Sequence, residues 1–305
     1  MSDTVKASLL MVAAMALFAG QDVFIKLLSD VLSPGQLVLL IAAGVPLLAA
    51  VALAQGQPLL PRALFHRAVM ARNLCEFATA ICLVSALAAV ELSLVTAIMQ
   101  AVPLLVTAGA AIWFAEPVGW RRWTAIAVGM AGVLVILRPG MAGFDPAVLW
   151  AVGGAFAMAA RDLATRAVPQ SVASVQLSLW AFVVLVPAGL MLMALEPGPH
   201  LWPDAAGWFA VAAMVVLGLI AYAALVVATR VGDIAAVAPF RYSRILVALV
   251  FGALVFGERP DALSLAGIAL IVGAGLYTLI REARLRRRDG RRPVAAPSPQ
   301  TPPGL

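Results

Sequence analysis

Histidine and cysteine are scarce in this chain, with two of each among 305 residues. His66 and His200 fall in stretches that read as loops, and Cys75 and Cys82 fall in one apolar run. Seven residues of helix rise about 10 Å, too far for a disulfide between these two cysteines, so they read as small buried hydrophobes. Ligands for a metal cluster are lacking, and no metal is expected. Charge is also scarce, at 12% of residues. A GxxxxGK[ST] loop is missing, which argues against an ATP-driven pump. HExxH and GxSxG runs are missing as well, and so is a run of adjacent carboxylates that would hold a metal–diphosphate group. Neither an enzyme nor a cofactor is expected. The formal charge of +6 is spread over loops and the C-terminal tail, so no nucleic-acid partner is expected either.

Apolar residues are what the chain has in quantity: 63% of the sequence, with a mean hydropathy of +1.01. No soluble domain of this size has such a composition, so the expectation is an all-α polytopic membrane protein embedded in a lipid bilayer. Ten candidate transmembrane helices can be drawn, at about 6–28, 35–54, 68–90, 93–114, 121–138, 147–167, 174–194, 208–229, 235–256 and 262–281. We number these spans 1 to 10. Short links rich in Pro, Gly or charge separate them, such as SPG at 33–35 and GERPD at 257–261. Trp113, Trp120, Trp123, Trp150, Trp202 and Trp208 lie near span ends, where amphipathic rings prefer the headgroup zone. The first span is not a convincing signal peptide, because its apolar run continues into Asp22 and Lys26.

The chain repeats itself. Asp22 and Asp162, Lys26 and Arg166, and Gln36 and Gln176 are each 140 residues apart, while Glu116 and Glu258 are 142 apart. Each half then holds five spans, at 6–140 and 145–281, and an odd number forces the second half to enter the membrane from the opposite side. The expectation is two inverted five-helix repeats, an architecture typical of secondary transporters. Prolines recur inside repeat mates, at Pro46 and Pro187 in spans 2 and 7 and at Pro103 and Pro239 in spans 4 and 9. Each should bend its helix. Gly129, Gly132, Gly267, Gly273 and Gly275 in spans 5 and 10 are expected to permit close helix packing. Residues 284–305 are rich in arginine and then proline, and are expected to be a disordered cytoplasmic tail attracted to anionic lipid.

Charges inside spans are the candidates for function. A cation in lipid costs at least about 2.5–3.5 kcal/mol, so it normally faces protein or a water-filled cavity. Three i, i+4 pairs are expected to neutralise themselves on one helical face: Asp22–Lys26, Arg72–Glu76 and Asp162–Arg166. Such pairs are accounted for equally by making a polar residue tolerable in lipid. Arg161, Arg241 and Arg244 have no partner at that spacing, so the cavity would keep a positive surplus. Ser93, Thr96, Gln100, Pro103 and Thr107 share one face of span 4, and Gln100 corresponds to Tyr242 at the 142-residue offset. The stripe serves either helix–helix hydrogen bonding or the wall of a substrate path. Arg241, Arg244, Tyr242, Gln100, Thr96, Trp180 and Tyr222 form the candidate substrate site, with arginines for a carboxylate, phosphate or planar group and aromatics for stacking.

The stretches AMALFAGQDVFIK at 14–26, AEPVGWRRW at 115–123, GMAGVLVILRPG at 129–140 and VAPFRYSRILVALVFGALVFGERPD at 237–261 resemble the drug/metabolite transporter superfamily, in its ten-helix EamA-type branch. The resemblance implies two EamA domains, a bacterial inner-membrane location, and alternating access without ATP hydrolysis. It further implies a small-molecule substrate: an amino acid, a nucleoside-like compound or a vitamin such as riboflavin, moved in either direction. Homodimerisation is compatible with it. The alternative is a membrane sensor or accessory subunit with a transporter-like fold.

Orientation follows from Lys and Arg in the links. With both termini inside, the cytoplasmic side holds Lys6, Arg62, Arg67, Arg121, Arg122, Arg166, Arg230 and the tail arginines, against Lys26, Arg138 and Arg259 outside. A reporter fused after Leu305 is expected to be active only in a form that works in the cytoplasm. Activity only of a periplasmic reporter contradicts this topology.

Overall fold

A computed structural model describes residues 3–116, 118–139, 144–169, 171–196, 202–231 and 237–289. All regular structure among these residues is helical. Six spans are single helices: Asp3–Leu28, Arg67–Ala89, Trp120–Leu137, Val148–Arg166, Ala205–Val231 and Ala262–Asp289, for spans 1, 3, 5, 6, 8 and 10. Among the described residues nine segments are long and apolar enough to cross a membrane. The tenth, span 6, is a helix of 19 residues that carries Arg161, Asp162 and Arg166. Charge, not length, sets it apart. The last helix runs through Asp289, past the expected end at 281, because EARLRRR is made largely of good helix formers. Residues 290–305, the rest of the expected tail, lie outside the described residues.

The four proline-bearing spans are the interrupted ones. Span 2 runs Pro34–Ile41, passes through a 3-10 turn at Ala42–Gly44, and resumes as Val45–Ala54. Span 4 is Leu92–Met99 followed by Val102–Trp113, and span 7 is Ser174–Val183 followed by Leu185–Leu195. In each the break lies just upstream of the proline, which has no N–H to offer the carbonyl one turn back. Span 9 differs. Pro239 sits at the start of a 3-10 turn, Ala238–Tyr242, that leads into the helix Ser243–Phe256. The bend expected just before Arg241 is thus a tight turn that contains Arg241.

Packing follows the repeat. Span 1 packs chiefly on span 8, and its mate span 6 packs on span 3, which is the mate of span 8. Span 1 also meets span 9, and span 6 meets span 4. Spans 2 and 7, 4 and 9, and 5 and 10 pack mate against mate. Exchanging the first five spans for the second five therefore maps each of these contacts onto another, as a two-fold axis in the membrane plane requires. Gln36 and Gln176 occupy equivalent places at span starts. Each accepts through Oε1 from the backbone N–H three residues before it, Ser33 or Ala173, both at 3.1 Å.

Glycines set the closest approaches. A Cβ on Gly35 would lie 2.5 Å from the Met193 nitrogen, and one on Gly189 would lie 2.7 Å from the Leu39 nitrogen, so spans 2 and 7 touch through backbone. Gly132 and Gly267 bring spans 5 and 10 together in the same way. Gly129 and Gly275 also face packed atoms, but Gly273 does not: a Cβ there would meet nothing within 4 Å. Large apolar side chains such as Leu74, Phe209 and Leu254 face outward, as lipid-facing positions do, and all six of the tryptophans expected near span ends are exposed.

Candidate functional site

Spans 1, 3, 6 and 9 bring four arginines and three carboxylates into one cluster inside the bundle. On span 9, Arg244 donates through Nη2 to the Asp22 carboxylate of span 1 at 2.6 Å, and its guanidinium lies 5.4 Å from the centre of the Phe18 ring. Asp22 is buried, so this contact supplies the counter-charge that lipid cannot. On span 6, Arg161 holds Asp162 at 2.8 Å and reaches across to Glu76 of span 3 at 3.4 Å. Arg72 lies 3.7 Å from Glu76 and donates to the Asn73 side-chain oxygen at 3.2 Å.

Arg241 is left over. Its guanidinium has no hydrogen bond or ion pair with any described residue, although Asp162, Arg161 and Arg244 all act on it through space. It is exposed, although it lies within the apolar segment Pro239–Phe256. Solvent reaches it. Its backbone carbonyl accepts from Gln100 Nε2 at 3.3 Å, which ties the polar stripe of span 4 to the turn in span 9.

Two of the three expected local pairs are replaced. Asp22 binds Arg244 instead of Lys26, because Lys26 sits at the end of span 1. There it donates to the Val90 carbonyl at 2.5 Å and lies 5.5 Å from the Phe256 ring centre. Asp162 binds Arg161, its neighbour in sequence, while Arg166 reaches Glu116 at 3.1 Å in an exposed pair. Arg161 and Arg244, which had no partner at i±4, are therefore both paired. Among the described residues, Arg241 is the arginine of the cluster without an ion pair.

The other candidates are dispersed. Tyr242 is buried and points its hydroxyl at Gly275 of span 10. Thr96 is buried, and its hydroxyl has no partner among the described residues. Trp180 donates through Nε1 to the Leu59 carbonyl at 2.9 Å, anchoring the link between spans 2 and 3. Tyr222 shares a 2.5 Å hydrogen bond with Ser178.

Glu258 is the residue whose role sequence reasoning missed. Its carboxylate accepts from the Leu92 and Ser93 backbone N–H groups at 2.6 and 3.0 Å and from the Ser93 hydroxyl at 2.7 Å. A carboxylate at a helix start satisfies orphan donors and meets the positive end of the helix dipole, so Glu258 caps span 4 from span 9. The same end of the bundle holds a hydrogen-bonded ion pair between Arg138 and Asp261, and the Glu196 carboxylate accepts from the Gly35 N–H at 3.0 Å. Arg138 and the Ser264 N–H hold the Asp261 carboxyl well below the usual carboxylate range. Burial pushes Glu91 up, and the nearby Glu258 charge adds to this. The spacing Glu116–Glu258 marked Glu258 as a repeat position; only the fold shows which N–H groups it meets.

The chain matches the EamA-like transporter family twice, over residues 5–138 and 145–280. It belongs to that family. A riboflavin transporter of Vibrio cholerae is 28% identical over 193 residues, covering 63% of this chain and 64% of that protein. An S-adenosylmethionine uptake transporter of Rickettsia felis is 26% identical, covering 63% of this chain and 65% of that protein. The chain thus spans less than two thirds of either of these relatives. A riboflavin transporter of Rhizobium johnstonii is 30% identical, with 67% of each chain covered. A solved crystal structure aligns over 92% of this chain and 99% of its own with a TM-score of 0.60 at 20% identity, which bears on the fold alone. These matches accord with a multi-pass EamA architecture of two repeats.

Removing one partner of a buried ion pair costs about 3–5 kcal/mol, because the other charge stays buried. Asp22→Asn is expected to lower the folded fraction of the protein in the membrane. Asp22→Asn combined with Arg244→Gln is expected to recover much of it. Unfolding in mixed micelles measures this, and strictly additive losses would show that the two side chains do not act as a pair.

Proposed function

We propose that this protein is a secondary transporter of a small organic metabolite, acting in the bacterial inner membrane with both termini cytoplasmic. The observation that carries this reading is Arg241, a guanidinium held within an apolar span by a tight turn and without an ion pair among the described residues. No carboxylate among the described residues pairs with that charge, and a ligand would offset its desolvation. Guanidinium recognises a carboxylate or phosphate bidentately and stacks on flat rings. The substrate is therefore a small metabolite with an anionic group, a planar heteroaromatic group, or both. Relatives named for riboflavin and for S-adenosylmethionine support this class, since both compounds carry flat ring systems and the second also carries a carboxylate.

Movement follows from the repeat. The end of the bundle opposite the termini is held shut by Glu258 on span 4, by Arg138 with Asp261, and by Lys26 on the Val90 carbonyl. The repeat mates of Glu258 and Lys26, namely Glu116 and Arg166, are instead half-exposed and pair with each other. This asymmetry supports a state open toward the cytoplasm. In the opposite state Glu258 releases span 4, and the two halves rock about the breaks beside Pro46, Pro103 and Pro187. No step consumes ATP.

The test is uptake into proteoliposomes that contain this chain alone, with riboflavin, S-adenosylmethionine, nucleosides and carboxylated amino acids as labelled probes. Uptake of at least one probe without ATP is expected, and Glu258→Gln should slow it by loosening the closed end. A lack of uptake across the panel, with binding retained, would favour a sensor or accessory subunit.

A further inference from the structure

One recess lies apart from the charged cluster. It lies between spans 5 and 10, has a volume of about 380 Å³, and opens sideways. Trp120, Thr124 and Val128 share one face of span 5 at i, i+4 spacing, and Gly273 and Tyr277 stand opposite on span 10. Trp120, Val128 and Tyr277 are all exposed. Gly273 creates the recess. Gly129, Gly132, Gly267 and Gly275 are filled by neighbouring atoms, but the space beside Gly273 is empty.

The recess is polar at one end and apolar at the other. At its mouth the Arg121 guanidinium lies 5.3 Å from the centre of the Trp120 ring, and no ion pair among the described residues uses it. These two residues begin span 5, at the level where a bilayer places its headgroups. Val128 lies about 12 Å deeper along the helix, at acyl-chain depth. A cation and an amphipathic ring at the interface, above an apolar slot of hydrocarbon depth, complement one kind of molecule.

We propose that this groove is a binding site for an anionic phospholipid, with its phosphate on Arg121 and one acyl chain laid along Val128 and over Gly273. The lateral opening admits a lipid from the membrane and is unsuited to a water-soluble ligand. Arg121 on the Trp120 face is preorganised for a phosphate, which a guanidinium binds bidentately. The site is separate from the transport cluster and does not depend on the substrate.

The test is thermal unfolding of the full chain in mild detergent as phosphatidylglycerol, phosphatidylcholine or inorganic phosphate is added. Phosphatidylglycerol is expected to raise the midpoint at lower concentration than phosphatidylcholine, and inorganic phosphate is expected to have no effect. Arg121→Gln should weaken the apparent affinity for phosphatidylglycerol about tenfold, the loss of one charge-assisted contact. A Cβ at Gly273 meets no protein atom within 4 Å, so Gly273→Leu is expected to fold and yet abolish the lipid-induced shift. Equal responses to both lipids, or a shift that survives both substitutions, would overturn the proposal. A wild-type dimer in detergent that Gly273→Leu converts to monomer would also overturn it, assigning the groove to a second copy of the chain.

Discussion

A charge inside the hydrocarbon core must be neutralised by protein or reached by water, and the architecture of this protein follows from that constraint. Spans 1, 3, 6 and 9 each carry such charges and cannot face lipid on that side. The Asp22–Arg244 contact ties span 1 to span 9, and Arg161 ties span 6 to span 3 through Glu76. Each of these links crosses from one repeat to the other, so the charges hold the two halves of the bundle together. Apolar packing surrounds them, with buried Leu92, Ile98 and Ile245 among the core residues. Helix association in a bilayer lacks the hydrophobic drive available in water, which increases the weight of close backbone contacts such as Gly132 with Gly267.

Pairing across the repeats also bears on motion. A pair within one helix moves with that helix and places no condition on its neighbours. A pair between helices of opposite repeats must break, slide or move as a unit when the halves rock. The contacts at the two ends of the bundle differ in the same respect. Glu258 is buried against the start of span 4, whereas its mate Glu116 sits in an exposed pair with Arg166. Equivalent residues in unequal surroundings are what an inverted repeat produces when one side is closed and the other open. The lateral groove begins at Arg121, at the end of the bundle that holds Glu116 and Arg166, and runs between spans 5 and 10.

Much of this was legible in the sequence. Hydropathy and the odd span count led to ten helices in two inverted repeats, and the spacing of prolines located three of the helix breaks. The charged pairs were read less well. The i, i+4 rule treats a helix as isolated, and it assigned Lys26 to Asp22 and Arg166 to Asp162. In the fold, a guanidinium six or seven atoms from its backbone reaches a neighbouring helix as readily as its own, and the buried Asp22 took the half-buried Arg244 as its partner. Lys26 and Arg166 sit at helix ends, where carbonyls and exposed carboxylates are at hand. The capping role of Glu258 escaped notice because a cap supplied from beyond another helix leaves no local signature. Gly273 looked like its neighbours, since composition does not tell a glycine that permits contact from one that leaves a gap.

The central claim is that Arg241, alone among the clustered charges, is reserved for the substrate. The most direct measurement is transport by Arg241→Lys in proteoliposomes at matched protein density. The account predicts normal folding and membrane level with a raised apparent KM, because an ammonium keeps the charge and loses the planar fork. Unchanged transport by Arg241→Lys and also by Arg241→Ala would contradict it.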